Sequence, residues 1–333
     1  MKRIVELPLL EPLYSTYQRQ GPATATIFNN PSIRNWYFNK ILMLTCTRKF
    51  LNGLTTPEMG IIESNWNHNP YFDQKFFDIR FLGGYTHHVI KKLLDDGYYV
   101  CFEGFDDYYI EGKSWYHEKH FFHDGCICGY NQNDKTYCIY SYDQTWVYRK
   151  FWATQESFDA SMKATLKQKQ YASICGLKPT DEPIPFSSDI ALEKIKEYLD
   201  SSYEKYPETE DGLVFGSIVH NYIARYVEKL YDGSIPYDRM DRRVLRMIWE
   251  HKKVMLERIK LIEQALSLDS ETSDAYISIV KDADTARMLY ATHHMKRRDS
   301  VLPIISKTLR SIKDREYELL TTILQKSEGE KQR

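Results

Sequence analysis

Glycine is sparse in this chain, 15 of 333 residues, and none stands in a phosphate-cradling pattern, so an ATP-driven reaction is not the expectation. Cysteine is sparser still. Cys46, Cys101, Cys126, Cys128, Cys138 and Cys175 are too few and too unevenly spaced for a disulfide framework in a chain this long. Neither charge is in excess. With 45 Lys and Arg against 46 Asp and Glu, the formal charge of -1 gives no sign of a nucleic-acid surface or of an acidic disordered block. No run approaches ~18 apolar residues, and residues 1–10, with Lys2, Arg3 and Glu6, hold no apolar core of signal-peptide length. A protein of the reducing cytoplasm without a membrane span is expected. No metal site is expected either. Cys126 and Cys128 have no second ligand pair at zinc spacing, and the adjacent pairs His87-His88 and His293-His294 would diverge on a helix.

Aromatic residues are plentiful: 26 Tyr, 15 Phe and 6 Trp suit an aromatic-lined interior and argue against disorder. Several of them stand in the most informative stretch, residues 121–143. Two apolar-rich runs, 124–130 and 136–142, flank the turn-forming cluster Asn131, Gln132, Asn133, Asp134 and Lys135, which predicts a hairpin. A loop symmetric about Asn133 sets His123 opposite Asp143. Cross-strand neighbours lie ~4.5–5.5 Å apart at Cβ, so a carboxylate there holds one imidazole nitrogen and orients the other. That is the His–Asp half of a nucleophilic triad.

The first half of the chain mixes helix and strand. Pro31 opens a run over 33–51 whose Ile33, Trp36, Tyr37, Ile41, Leu44 and Leu51 recur at helical spacing, and Asn52-Gly53 stops it. A second helix is expected at 85–95, then a buried strand at 98–102, then Asp106-Asp107-Tyr108-Tyr109 as a loop flanking the site or an Asx turn. Helices followed by antiparallel strands make an α+β domain. From Pro179 the texture changes to a linker rich in Pro, Ser, Asp and Glu, after which helices are expected at 188–205, 214–231, 238–266, 271–296 and 303–326. Two regions follow, an α+β domain over 1–178 and a helical subdomain over 179–333. The long C-terminal helices offer a surface for a homodimer.

Several of these residues carry a family likeness. His123, followed at a distance by Gly129-Tyr130 and by an acidic residue at Asp143, resembles the second half of papain-like bacterial enzymes of the bacteriocin-leader-peptidase type. The string Gly97-Tyr98-Tyr99-Val100, Asp106-Asp107-Tyr108-Tyr109-Ile110 and His120-Phe121-Phe122-His123-Asp124 is similar to the butirosin biosynthesis protein H family. Trp249-Glu250-His251-Lys252-Lys253-Val254-Met255 with Arg258-Ile259 resembles the helical half of members found beside thiotemplate gene clusters. The resemblance implies a papain-like fold that moves an acyl group from a carrier-protein thioester to an amine in antibiotic or nonribosomal-peptide biosynthesis. Its partners would be an acyl or peptidyl carrier protein and a small amine. No cofactor is implied beyond the carrier's own phosphopantetheine arm.

The same resemblance implies a nucleophilic cysteine at the start of the first long helix, yet residues 34–40 hold none. Cys46 is the nearest upstream thiol, and with His123 as base and Asp143 as orienter it completes the expected catalytic set. Asn39, Asp107, Tyr108 and Tyr109 are the expected substrate contacts; alternatively the thiol position is lost, and the chain positions an acyl-carrier substrate without covalent catalysis, with Asn39 or Lys40 contributing polar contacts near the cleft. Three activities stay open at this point: an acyltransferase or amide synthase, a catalytically silent carrier-binding scaffold, and a cysteine peptidase or thioesterase.

Overall fold

The computed structural model describes residues 4–17, 20–26, 30–53, 55–64, 69–168, 172–201 and 212–331. In chain order the elements are β1 (Ile4–Glu6), α1 (Gly21–Thr26), α2 (Pro31–Lys40), β2 (Leu44–Thr47), β3 (Gly60–Ile61), β4 (Phe72–Asp78), α3 (Ile79–Leu82), α4 (Thr86–Asp95) and β5 (Tyr99–Asp106). They continue as β6 (Phe122–Asn131), β7 (Thr136–Tyr142), β8 (Tyr148–Thr154), α5 (Gln155–Gln168), β9 (Ser173–Pro179), α6 (Ser188–Leu199), β10 (Leu213–Phe215), α7 (Val219–Tyr231), α8 (Val244–Ala265), α9 (Glu271–Lys296) and α10 (Leu302–Lys331). The chain is thus α+β with a helical C-terminal region. Among the described residues no helix is long and apolar enough to cross a membrane.

Two compact units form. Unit 1 comprises residues 1–34 and 65–184, and unit 2 comprises 35–64 and 185–333. The second break falls close to the expected boundary at 178/179, but residues 35–64, expected with the first region, group with the second.

Unit 1 is built on a seven-stranded antiparallel sheet in the order β4-β9-β5-β6-β7-β8, with β1 added to the end of β6. Alternation along the strands gives it two buried faces. Val100, Phe102, Ile127, Ile139 and Ile174 meet Ile90, Leu93 and Leu94 of α4 and Phe158 of α5. Phe105 stacks on Phe158 at 5.0 Å and meets Phe102 edge-on at 5.1 Å, a geometry that suits the ring quadrupoles. On the other face the N-terminal segment is tied down by tyrosines. Tyr99 donates its hydroxyl to Pro8 O, Tyr140 to Leu10 O at 3.5 Å, and Tyr142 to Ser15 O at 2.7 Å.

Unit 2 collects most of the helices. Here the expected helix over 33–51 is corrected: α2 stops at Lys40, and Leu44-Thr45-Cys46-Thr47 is a strand between β3 and β10. Threonines at alternate positions favour the extended backbone. The buried guanidinium of Arg258 on α8 completes the stop. It donates to Phe38 O at 2.8 Å and Ile41 O at 2.6 Å, carbonyls at and just past the helix end, and shares Tyr37 O, at 3.2 Å, with the Ile41 N–H. Ser187 caps α6 by accepting from Ile190 N, and of the helix expected at 188–205, residues 202–205 lie outside the described residues.

The centre of unit 2 is polar. Lys252 and Glu316 form a fully buried ion pair at 2.6 Å. Tyr198 donates to Glu316 Oε2 at 2.8 Å, Tyr276 donates to Oε1, and Lys252 also reaches Tyr198 Oη at 3.0 Å. Burial alone would raise the Glu316 carboxyl. The Lys252 ammonium, assisted by His220 and the Tyr276 hydroxyl, outweighs it and holds the group below the ordinary carboxylate range. Lys252→Met leaves that carboxylate uncompensated and is expected to cost about 3–5 kcal/mol in urea denaturation, whereas Lys252→Met with Glu316→Leu recovers most of the loss.

Two neutral histidines sit beside this pair. His251 donates Nε2–H to Leu42 O at 2.7 Å, and His220 donates Nδ1–H to Ser217 O at 2.8 Å. Burial, assisted by the Lys252 charge and opposed by Glu316, pulls His220 down to about 4; His251 is driven well down by burial and Lys252. An unfolded imidazole takes its proton near 6.5, so unfolding binds protons at lower pH. Stability is therefore expected to fall as pH drops from about 6.5 toward 4, by up to ~1.4 kcal/mol per pH unit for each histidine. Urea midpoints between these limits check this, and His220→Gln should flatten the slope.

Candidate active site

The site grows from an irregularity in β5. Its register against β6 shifts between Phe102 and Phe105, where Gly104 adopts φ +70° and donates its N–H to Asp124 Oδ1 at 3.1 Å. The bulge re-aims the strand end. Asp106 then caps a single 3-10 turn over Asp107–Tyr109, accepting from Tyr108 N and Phe121 N at 3.2 Å each. Asp107 N–H donates to Phe121 O at 2.9 Å, which fastens the turn to the approach to β6.

This arrangement places two carboxylates beside two imidazoles. Asp107 Oδ2 lies 2.8 Å from His123 Nδ1, and Asp106 Oδ2 lies 2.8 Å from His120 Nδ1. Both carboxylates are fully buried, whereas the His123 side chain is 26% and the His120 side chain 51% exposed. A carboxylate can only accept, so His123 carries its proton on Nδ1 when neutral, and Nε2 holds the lone pair. The Phe121 ring meets His123 edge-on at 4.3 Å, and Tyr108 stacks on His120 at 4.3 Å.

Behind Asp107 stands a lysine that the sequence did not single out. Lys113 is fully buried, with Nζ 2.9 Å from Asp107 Oδ1 and donating at 2.8 Å to both Asp124 O and Ser141 Oγ. It thus ties the carboxylate to the ends of β6 and β7. Nothing in the periodicity around Gly112-Lys113-Ser114 marks an ammonium as interior.

Asp143, the expected orienter, is engaged elsewhere. The hairpin does pair Ile127 with Ile139 and Cys126 with Tyr140, the register that sets His123 toward Asp143. Beyond that point the backbone bridge Lys113–Asp143 takes over. The Asp143 carboxylate accepts from Thr145 N at 2.8 Å, Thr145 Oγ1 at 2.7 Å and Val147 N at 3.0 Å, and pairs with Arg149. Burial pushes its pKa up, but these bonds prevail and hold the carboxyl below its usual range. It shapes the β7–β8 turn, and Asp107, expected as a substrate contact, takes the orienting position.

The remaining predicted residues divide. Tyr108 and Tyr109 lie in the turn beside the two dyads, their rings 5.1 Å apart. Asn39 belongs to unit 2, where it donates to Pro185 O at 3.2 Å and accepts from Ser187 N at 2.9 Å, and so fastens the lead into α6. Cys46 also belongs to unit 2. It is fully buried on β2 opposite Val214, and burial pushes its thiol up to about 12 despite the nearby Arg48.

No family model matches the sequence, and no curated protein matches it significantly. The site is therefore read on its own chemistry: an imidazole held in one tautomer by a buried carboxylate, itself anchored by a buried ammonium. Long-range ¹H–¹⁵N NMR of the neutral His123 ring is expected to report the Nδ1–H tautomer, and Asp107→Asn is expected to abolish that preference.

Proposed function

We propose that this protein is a cytoplasmic acyltransferase of papain-like fold that forms amides, taking its acyl group from a carrier-protein thioester. The observation that carries the reading is the chain Lys113–Asp107–His123, with contacts of 2.9 and 2.8 Å. The likeness of residues 97–124 to the butirosin biosynthesis protein H family supplies the reaction class.

In this reading His123 acts as general base on the incoming amine. As the amine nitrogen attacks the thioester carbonyl, Nε2 takes its proton and Asp107 stabilises the imidazolium. The tetrahedral oxyanion then collapses with cleavage of the C–S bond. The phosphopantetheine thiolate leaves and recovers the proton from His123, so that amide and free carrier thiol result. Direct aminolysis is preferred to a covalent route because a thiol raised to about 12 is thiolate in only about one molecule in 10⁵ at neutral pH.

Incubation with acylated carrier protein and a panel of amines, followed by intact mass, tests this. Amide and deacylated carrier are expected. His123→Ala is expected to lose roughly 10²–10⁴ in rate, and Cys46→Ala to retain wild-type turnover. An acyl adduct on the protein that Cys46→Ala abolishes would restore the covalent route. Release of free acid without amine marks a thioesterase or peptidase. Carrier binding without turnover marks a silent scaffold.

A further inference from the structure

Five of the six cysteines lie in unit 1, all buried in its sheet, and the chemistry proposed above uses none of them. Cys101 stands opposite Cys126 on one side and Cys175 on the other in regular strand register. Cys128 and Cys138 are related differently. The β6–β7 register shifts between Ile127 and Gly129, so Cys138 faces Gly129 and Cys128 is the extra residue of a bulge. The bulge brings the two sulfurs to 3.5 Å, with the Cys128 S–H donating to Cys138 Sγ and, also at 3.5 Å, to Cys138 O. A disulfide needs ~2.05 Å, a closure within reach of small side-chain rotations.

The surroundings favour charge on one sulfur. The Cys128 hydrogen bond holds the Cys138 thiol below its ordinary range against burial and the Glu6 carboxylate, and the Lys150 ammonium adds a smaller effect in the same sense as the hydrogen bond. Lys150 is fixed by Glu6 of β1 at 2.7 Å. Strand β1 covers the pair: Leu7 N–H donates to Cys128 O at 2.7 Å, and Val5 O occupies the space that a side chain at position 129 would need, so Gly129 is required there. Strand β1 is three residues long and pairs with β6 through Ile4, Val5 and Glu6, so opening it breaks few backbone bonds.

We propose that Cys128 and Cys138 form a reversible dithiol–disulfide site beneath β1, oxidised by hydroperoxides. The Cys138 thiolate attacks the terminal peroxide oxygen, breaking the O–O bond and releasing hydroxide from hydrogen peroxide or an alkoxide from an organic hydroperoxide, each then protonated, to leave a sulfenic acid. Cys128 sulfur then attacks Cys138 sulfur, the S–O bond breaks, and the Cys128 proton leaves with the hydroxyl as water. The two thiols lose two electrons and the peroxide gains them.

The test uses the full chain treated with hydrogen peroxide, then unfolded, alkylated with N-ethylmaleimide and analysed by intact mass and peptide mapping. Four of the six thiols are expected to remain alkylatable, with a mass loss of ~2 Da before alkylation, both reversed by dithiothreitol, and with a cross-link joining the peptides of Cys128 and Cys138. Cys128→Ser is expected to yield no disulfide and a dimedone-reactive Cys138 instead. Six alkylated thiols under peroxide that fully oxidises glutathione overturn the proposal, as does a cross-link joining Cys101 to Cys126 or Cys175. The readout is independent of acyl transfer.

Discussion

The buried ammonium of Lys113 is the constraint on which the candidate site depends. Removing a lysine from water is costly unless acceptors surround it, and here they are Asp107 Oδ1, Asp124 O and Ser141 Oγ. Those acceptors come from the turn after β5, from β6 and from β7, so satisfying one charge fixes three chain segments at once. Orientation of His123 is a consequence: its carboxylate partner cannot turn away without leaving the ammonium poorly compensated.

Much of the architecture was legible because it rests on local patterns. Helix α9 was expected over 271–296 and spans Glu271–Lys296, since its alternation of buried and exposed residues is regular. The hairpin was likewise legible from its turn cluster, with β6 and β7 flanking residues 132–135. What stayed hidden depends on distant partners. The end of α2 at Lys40 depends on Arg258, more than two hundred residues away, whose guanidinium takes the terminal carbonyls. Without that knowledge the apolar spacing through Leu51 reads as one helix and puts Cys46 on it. The choice of Asp107 over Asp143 depends on the bulge at Gly104 and on Lys113, and neither leaves a mark in hydrophobic periodicity.

Polar burial recurs in both units with different uses. In unit 2 Lys252, Glu316, Tyr198 and Tyr276 saturate one another, and no member of that set is exposed. Such a closed network contributes specificity of packing more than net stability. In unit 1 the corresponding chain ends in an imidazole with part of its surface in solvent. That difference is why the histidine of unit 1 is the candidate for chemistry and His220 and His251 are assigned to the interior.

The grouping of residues 35–64 with 185–333 sets an order on the biogenesis of the fold. Strand β2 emerges from the ribosome early, while β10, which pairs with it through Val214 and Cys46, follows after the whole sheet of unit 1. At ordinary elongation rates that interval is on the order of ten seconds or more. During it β2 lacks one neighbour and Arg258 has not yet reached α2, so the nascent chain carries an open strand edge and an uncapped helix end through the time in which unit 1 is completed.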